Sequence, residues 1–175
     1  MTDMMYTTKR LYVRHFGLQD LDDMAGLCAD ANVMRYVGDG TTLSREDVEG
    51  WIHICAGKYA SRGYGTSAVF TRDHQFVGYC GVVRAPENDF DELIYVLHTN
   101  AWGQGYATEV AQPMLDYVFQ GSVLAEIYAT IDPANLASIK VAEKLGFRYA
   151  RQEVDATGPV AFYLLRRDMW QLEIE

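Results

Sequence analysis

The sequence predicts a mixed α/β structure of the α+β kind, a twisted sheet covered by helices. Three observations predict it. The chain has 175 residues, 49% of them hydrophobic, enough to bury a core without disulfides or metals. Short β-branched and aromatic runs alternate with segments whose apolar residues recur at helical spacing. Their order, β-α-α-β-β-β-α-β-α-β-β, interleaves strands and helices unevenly, which points to a mixed layer structure rather than a regular parallel one. No repeat, low-complexity tract or proline-rich linker breaks the pattern, so residues 1–175 are expected to form one domain.

The run from Leu11 to Phe16 is β-branched and aromatic and reads as the first strand. Leu18, Leu21, Met24, Ala25 and Cys28 then recur at helical spacing. Residues 32–42 carry Gly38, Asp39 and Gly40 and read as a loop. Ser44 and Asp47 resemble a capping box with Asp in place of Glu. They open a helix on Val48, Trp51, Ile52, Cys55 and Tyr59, which Arg62-Gly63-Tyr64-Gly65 ends. Trp51 and Tyr59 are expected in the core. Residues 66–71 and 75–83 form a hairpin across Arg72-Asp73-His74, and Glu92 to Leu97 is a fourth strand. After a glycine-containing loop from Trp102 to Thr108, one helical face is traced by Ala107, Val110, Ala111, Met114, Leu115, Val118 and Phe119. Pro113 lies inside it. An interior proline costs about 3 kcal/mol unless a kink absorbs it, so a bend is expected there. A strand at 126–131, a helix at 135–145 and strands at 148–155 and 160–167 complete the chain.

Asp plus Glu number 24 and Lys plus Arg 15, a formal net charge of −9. That excludes a general nucleic-acid binder, which needs a basic footprint, and docking on anionic membranes. It is compatible with a cationic partner. Cys28, Cys55 and Cys80 are odd in number, far apart and set among apolar neighbours. They read as buried free thiols of a cytoplasmic protein rather than as a zinc site or redox pair. His15, His53, His74 and His98 show no ligand spacing, so no metal site is expected. Met1 to Tyr6 lacks the pattern of a signal peptide, and no run of 18 apolar residues predicts a membrane span.

The most informative stretch is Trp102-Gly103-Gln104-Gly105-Tyr106-Ala107-Thr108. It follows a strand and opens a helix. Glycines there let the backbone turn tightly and present N–H groups to an anion, and the helix N-terminus adds partial positive charge. The implied ligand is a phosphate or pyrophosphate. A P-loop would need Gly-Lys-Ser/Thr, which is absent. A dinucleotide fingerprint would need a third glycine where Thr108 stands, and usually lies in the first βα unit, whereas the strands preceding this loop read as an antiparallel meander. The third candidate is the acyl-CoA loop, Arg/Gln-x-x-Gly-x-Gly/Ala, with Trp102 in the first position. A glycine-rich helix entry without ligand is the remaining reading of the loop alone.

Downstream lies Asn135-Leu136-Ala137-Ser138-Ile139-Lys140-Val141-Ala142-Glu143-Lys144-Leu145-Gly146-Phe147. With this tail, the loop continuing into Glu109, and a start at Lys9-Arg10-Leu11-Tyr12-Val13-Arg14, the sequence resembles the GNAT acyltransferase superfamily. It is most similar to the branch of ribosomal-protein N-terminal (RimJ/RimL-like) acetyltransferases. The resemblance spans about residues 8 to 168. It implies a GNAT-like fold, a twisted mixed sheet whose fourth and fifth strands splay apart, with acetyl-CoA in the V. It implies that backbone near Leu97 bonds the pantetheine arm. The N–H groups of Gly103, Gln104, Gly105, Tyr106, Ala107 and Thr108 would hold the pyrophosphate, and Asn135 would contact the pantetheine or thioester end. No metal is implied.

The implied activity is N-acetylation of a primary amine, by direct attack on the thioester. The acceptor would be a protein N-terminal α-amine or a small amine. At neutral pH an amine of pKa near 10.4 must be deprotonated at a cost of about 4–5 kcal/mol, and an α-amine near 8 at about 1 kcal/mol. Glu92 is the base candidate. Strand alternation puts it on one face with Ile94 and Val96, and apolar neighbours would raise its pKa. The other reading is a solvated strand-end acid. Many enzymes of the resembled kind carry a Tyr where Ala142 stands, to meet the leaving thiolate. Ser138, one turn earlier on the same face, is the candidate in its place, against the plainer reading of a hydroxyl bonded back to the helix. The missing Tyr keeps open a catalytically silent acyl-CoA-binding or regulatory domain. Glu109, in the first turn of its helix, is expected to complement the dipole, worth about 0.3–1 kcal/mol. Tyr36 is a candidate wall of the acceptor pocket.

The charge is polarised along the chain. Residues 17–55 hold eight acids (Asp20, Asp22, Asp23, Asp30, Asp39, Glu46, Asp47, Glu49) against two bases, a net of −6. Residues 136–151 carry four bases against one acid, a net of +3. In the resembled fold the first segment flanks the acceptor and the second the cofactor, which suits a cationic acceptor and an anionic cofactor. Monomer and homodimer are both compatible with the sequence.

Overall fold

In the computed structural model, which describes residues 4–84 and 89–172, eight strands form one sheet in the order β1-β2-β3-β4-β5-β6-β8-β7. The reading of residues 1–3 lies outside the described residues. The strands are β1 Met4–Thr7, β2 Leu11–His15, β3 Thr66–Thr71, β4 Phe76–Val83, β5 Glu92–Leu97, β6 Glu126–Ile131, β7 Arg148–Asp155 and β8 Gly158–Arg166. The helices are α1 Leu21–Cys28, α2 Ala31–Met34, α3 Arg45–Arg62, α4 Tyr106–Gly121, α5 Leu136–Lys144 and α6 Arg167–Leu172.

β2 to β5 form the antiparallel meander that the sequence predicts, and β1 adds an antiparallel strand at its edge. The capping box forms: the Ser44 hydroxyl accepts from the Asp47 N–H at 3.2 Å, and Asp47 Oδ2 accepts from the Ser44 N–H at 3.1 Å. Three elements escape the sequence reading. β1 pairs only locally with β2, α2 is a single turn that runs into the start of the expected loop, and α6 follows β8 directly. Each is too short to establish a period. α4 is continuous through Pro113, so the proline does not end the helix.

The apolar residues divide into two cores, one on each face of the sheet. Leu93 and Leu97 of β5 join Val110, Met114 and Val118 of α4 and Ala142 of α5. On the opposite face Met24, Leu27, Val48, Ile52 and Cys55 pack over Ala68 and Phe70, with Ile94 and Val96 of β5 against them. Trp51 packs on Phe16 and Tyr79 in this second core, and the Tyr59 hydroxyl meets Ser67 Oγ at 2.6 Å. The link from α3 into β3 passes so close to β4 that a Cβ on Gly81 would lie 2.2 Å from the Gly65 carbonyl oxygen. Only glycine fits that crossing.

One ion pair belongs to this packing rather than to the surface. Asp20 is 2% exposed. It accepts from Arg14 Nη1 and Nη2 at 2.8 and 2.5 Å and from the Gly17 N–H at 2.9 Å, tying β2 to the start of α1. Asp20 therefore leaves the acidic face with which the sequence reading grouped it.

Candidate active site

β5 and β6 are parallel neighbours, but they share a single register pair, Glu92 with Tyr128, where the Tyr128 N–H donates to the Asp91 carbonyl at 2.8 Å. Past that point the strands have no paired residues, which is the V expected of the fourth and fifth strands. Main-chain groups of successive strand residues point to opposite edges. Because Asp91 faces β6, the main chain of Leu93, Tyr95 and Leu97 faces the opening. The Leu97 carbonyl there accepts from the Trp102 indole N–H at 2.8 Å. Trp102 departs from the loop motif at its first position, and through this bond it pins the loop to the end of β5.

The loop turns at Gly103 and Gly105, whose φ angles of 70° and 78° lie in the left-handed region that glycine enters without a Cβ penalty. Gly105 is the N-cap of α4, and no side chain caps it. The first N–H groups of a helix have no partner within it. Those of Tyr106, Ala107 and Thr108 therefore point out of the helix end beside exposed Gly103 and Gln104. The Gln104 side chain is tied to the Asn100 carbonyl at 2.7 Å. This end could hold a pyrophosphate with backbone donors and a helix dipole.

Glu109 does more than complement that dipole. Its Oε1 accepts from the Thr8 hydroxyl at 2.6 Å and from the Arg10 N–H at 2.8 Å, and its Oε2 accepts from Arg10 Nε at 2.7 Å. The Arg10 guanidinium also lies 4.6 Å from the Tyr106 ring centre. The N-terminal segment thus clamps the first turn of α4. Burial works against the Glu109 charge, but the Thr8 and Arg10 hydrogen bonds outweigh it and hold the carboxyl below its ordinary value of 4.5. A carboxyl lowered in the folded state stabilises fully above its unfolded pKa, and that stabilisation is lost as pH falls through the folded value. Glu109→Gln should lower Tm by about 3–6 °C at neutral pH and converge on the wild type as pH falls below the lowered folded-state value of this carboxyl. A difference that stays constant on acidification would contradict the clamp.

At the closed end of the V, Glu92 Oε2 accepts from the Thr130 hydroxyl at 2.5 Å. Glu92, Ile94 and Val96 share one face of β5, as alternation requires, and Ile94 and Val96 lie on the α1–α3 side. The residue before Glu92 is anchored. Buried Asp91 accepts from the Tyr64 hydroxyl at 2.8 Å and from Arg84 Nε at 3.1 Å. Between α3 and β3–β5, on the Glu92 side, a cavity of about 160 Å³ is lined by Trp51, Cys55, Lys58, Thr66, Arg84 and Ile94, among others.

Asn135 and Ser138 lie at the start of α5. Asn135 is the N-cap, its Oδ1 accepting from the Ser138 N–H at 3.2 Å. The Ser138 carbonyl accepts from the Tyr95 hydroxyl at 3.3 Å. Ala142 is buried in the first core. Tyr36 is exposed beside Arg35, whose guanidinium sits 5.1 Å from its ring. The cysteines are free and buried; burial pushes Cys28 up to about 11 and Cys55 up to about 12, and Cys80 is also raised, so none is a ready nucleophile.

The structure therefore brings the loop, Leu97 and Asn135 around one opening, and Glu92 to its closed end. The sequence reading missed Thr8, Arg10, Asp91, Tyr95 and Thr130 as members of the site. Arg10 and Glu109 are 99 residues apart, so no local spacing signals their contact.

Residues 10–148 match the model of the GNAT acetyltransferase domain. An uncharacterized N-acetyltransferase of Bacillus subtilis, YnaD, is 32% identical over 146 residues, covering 83% of each chain. Among solved structures, the RimL ribosomal L7/L12 α-N-protein acetyltransferase in complex with CoA superposes with a TM-score of 0.81 at 15% identity, over 94% of this chain and 98% of that one. The Vibrio cholerae spermidine N-acetyltransferase, in complex with CoA and spermine, gives 0.78 at 17%, over 92% and 98%. The splayed strands, the helix-capping glycine loop and the match over most of the chain converge on one conclusion: the chain belongs to the GNAT family and is an N-acetyltransferase.

Proposed function

We propose that the protein binds acetyl-CoA in the V between β5 and β6 and transfers the acetyl group to a primary amine by direct attack on the thioester. The observation that carries this reading is the single register pair Glu92–Tyr128. It opens one edge of β5 from Leu93 to Leu97, with an anion-binding helix end at one limit and a carboxylate at the other. In this reading the backbone of Gly103 to Thr108 takes the pyrophosphate, and Leu97 and Asn135 line the pantetheine path. Glu92, directly or through a water, takes the proton from the amine. Backbone donors carry no net charge, so an acidic chain can still receive a polyanionic co-substrate.

A thiol-release assay with acetyl-CoA and a panel of α-amino peptides, polyamines, amino sugars and amino acids tests the reading. Acetyl-CoA-dependent thiol release with at least one amine supports it. CoA binding without turnover on any amine would overturn it.

A cationic acceptor rests on acids that stay exposed on α1 and α3, among them Asp22, Asp23, Glu46 and Glu49. Asp20 does not count among them, and Lys58 and Arg84 on the cavity beside β5 work against it. Asp22→Lys with Asp23→Lys should raise the acceptor KM about three- to tenfold and spare the acetyl-CoA KM. Equal effects on both would remove the polarity argument.

A further inference from the structure

We propose that the hydroxyl of Tyr95, reaching from β5 to the first turn of α5, is the hydrogen-bond donor that holds the leaving thiolate of CoA. The inference deepens the acetyl-CoA reading above and rests on it.

Strand alternation carries the first step. Glu92 shares its face with Ile94 and Val96, toward α1–α3. Tyr95 shares the other face with Leu93 and Leu97 and packs against the core built from α4 and α5. A thioester lying along the open edge of β5 would thus have a carboxylate on one side and a phenol on the other. The amine approaches from the first side, and the sulfur departs toward the second.

Position along the strand carries the second step. Tyr95 stands between Glu92, at the closed end, and Leu97, next to the loop. A strand advances about 3.3 Å per residue, so Tyr95 is about 10 Å from Glu92 along β5, within reach of its own side chain. Its hydroxyl spans the opening to the Ser138 carbonyl at 3.3 Å. This is a long bond that a better acceptor can replace. A thiolate formed there is such an acceptor, because charged acceptors make the stronger hydrogen bonds.

The third step is the absence of a hydroxyl from the next turn of α5. Ala142 is 1% exposed and presents only a methyl group to the core.

Burial pushes the Tyr95 hydroxyl up to about 12, above a typical thiol near 8.5. The phenol therefore keeps its proton and acts as a donor, not an acid. As the N–C bond forms and the C–S bond breaks, the electron pair leaves on sulfur. The proton lost by the amine goes to Glu92 or its water, and the thiolate is later protonated from solvent.

The test compares Tyr95→Phe, which keeps the ring in the core, with Ser138→Ala. Calorimetry measures CoA and desulfo-CoA binding from pH 7 to pH 10, and ultraviolet absorbance follows ionisation of the bound thiol. The expected wild-type result is a thiol that ionises at lower pH when bound than when free, with CoA gaining affinity over desulfo-CoA as pH rises. Tyr95→Phe should lose both effects and lower kcat about ten- to hundredfold, with the acetyl-CoA KM within threefold. Ser138→Ala should retain both binding effects. A wild-type bound thiol that titrates like free CoA overturns the proposal without recourse to any variant. So does a folded Tyr95→Phe with unchanged turnover and CoA preference, or transfer of the loss to Ser138→Ala. Failure of the wild type to bind either CoA or acetyl-CoA would overturn the underlying acetyltransferase reading together with this one.

Discussion

Glu92→Gln should lower kcat/KM by about a hundredfold or more near neutral pH, the usual weight of a positioned general base, while CoA affinity stays unchanged. Gln keeps the shape of the side chain and an oxygen that can accept from Thr130, so the packing at the closed end of the V is preserved. Only the ability to take a proton is removed. The loss should depend on the acceptor. An amine of pKa near 10.4 is almost wholly protonated at neutral pH, whereas an α-amine near 8 is not. The variant should therefore lose more on lysine-like amines than on peptide N-termini, and the gap should narrow as pH rises. An unchanged kcat/KM across pH 6–9 would sink the base role and leave Glu92 as a strand-end acid bonded to Thr130.

Asp20→Ala should destabilise the fold by about 3–5 kcal/mol, the cost of stripping one partner from a buried ion pair. The Arg14 and Asp20 side chains are 15% and 3% exposed, so water can do little for an Arg14 left alone. The Gly17 N–H loses its acceptor as well. Replacing both partners, as in Arg14→Leu with Asp20→Leu, should recover much of the loss, because no uncompensated charge remains. Urea unfolding of the three proteins measures this. A loss below about 1 kcal/mol in the single variant, the range of a surface pair, would show that the pair contributes little.

Much of the fold was readable from local pattern. β5 and β6 fall at 92–97 and 126–131 as predicted, and the capping box at Ser44 opens α3. These elements are long enough, or bounded by strong enough turn chemistry, to declare themselves. The glycine loop was readable too, because a left-handed turn before a helix leaves its mark in composition. Glu109 was legible only in part. Its position in a first helical turn suggested a dipole role, but its partners come from the N-terminal segment. Asp20 looked like one more surface acid, and its burial depends on how α1 folds back onto β2.

The chain's local chemistry decided the family, the glycine turn that opens α4, and the alternation that places Glu92 opposite Tyr95. Periodicity and backbone freedom act over a few residues and need no knowledge of the whole. Which groups meet around the V and at the start of α4 was decided only in the folded molecule. Thr130 on Glu92, Tyr95 on Ser138 and Arg10 on Glu109 join residues 38, 43 and 99 positions apart. Such contacts follow from where the sheet stops pairing and from how the helices pack on it, and no spacing along the sequence encodes them.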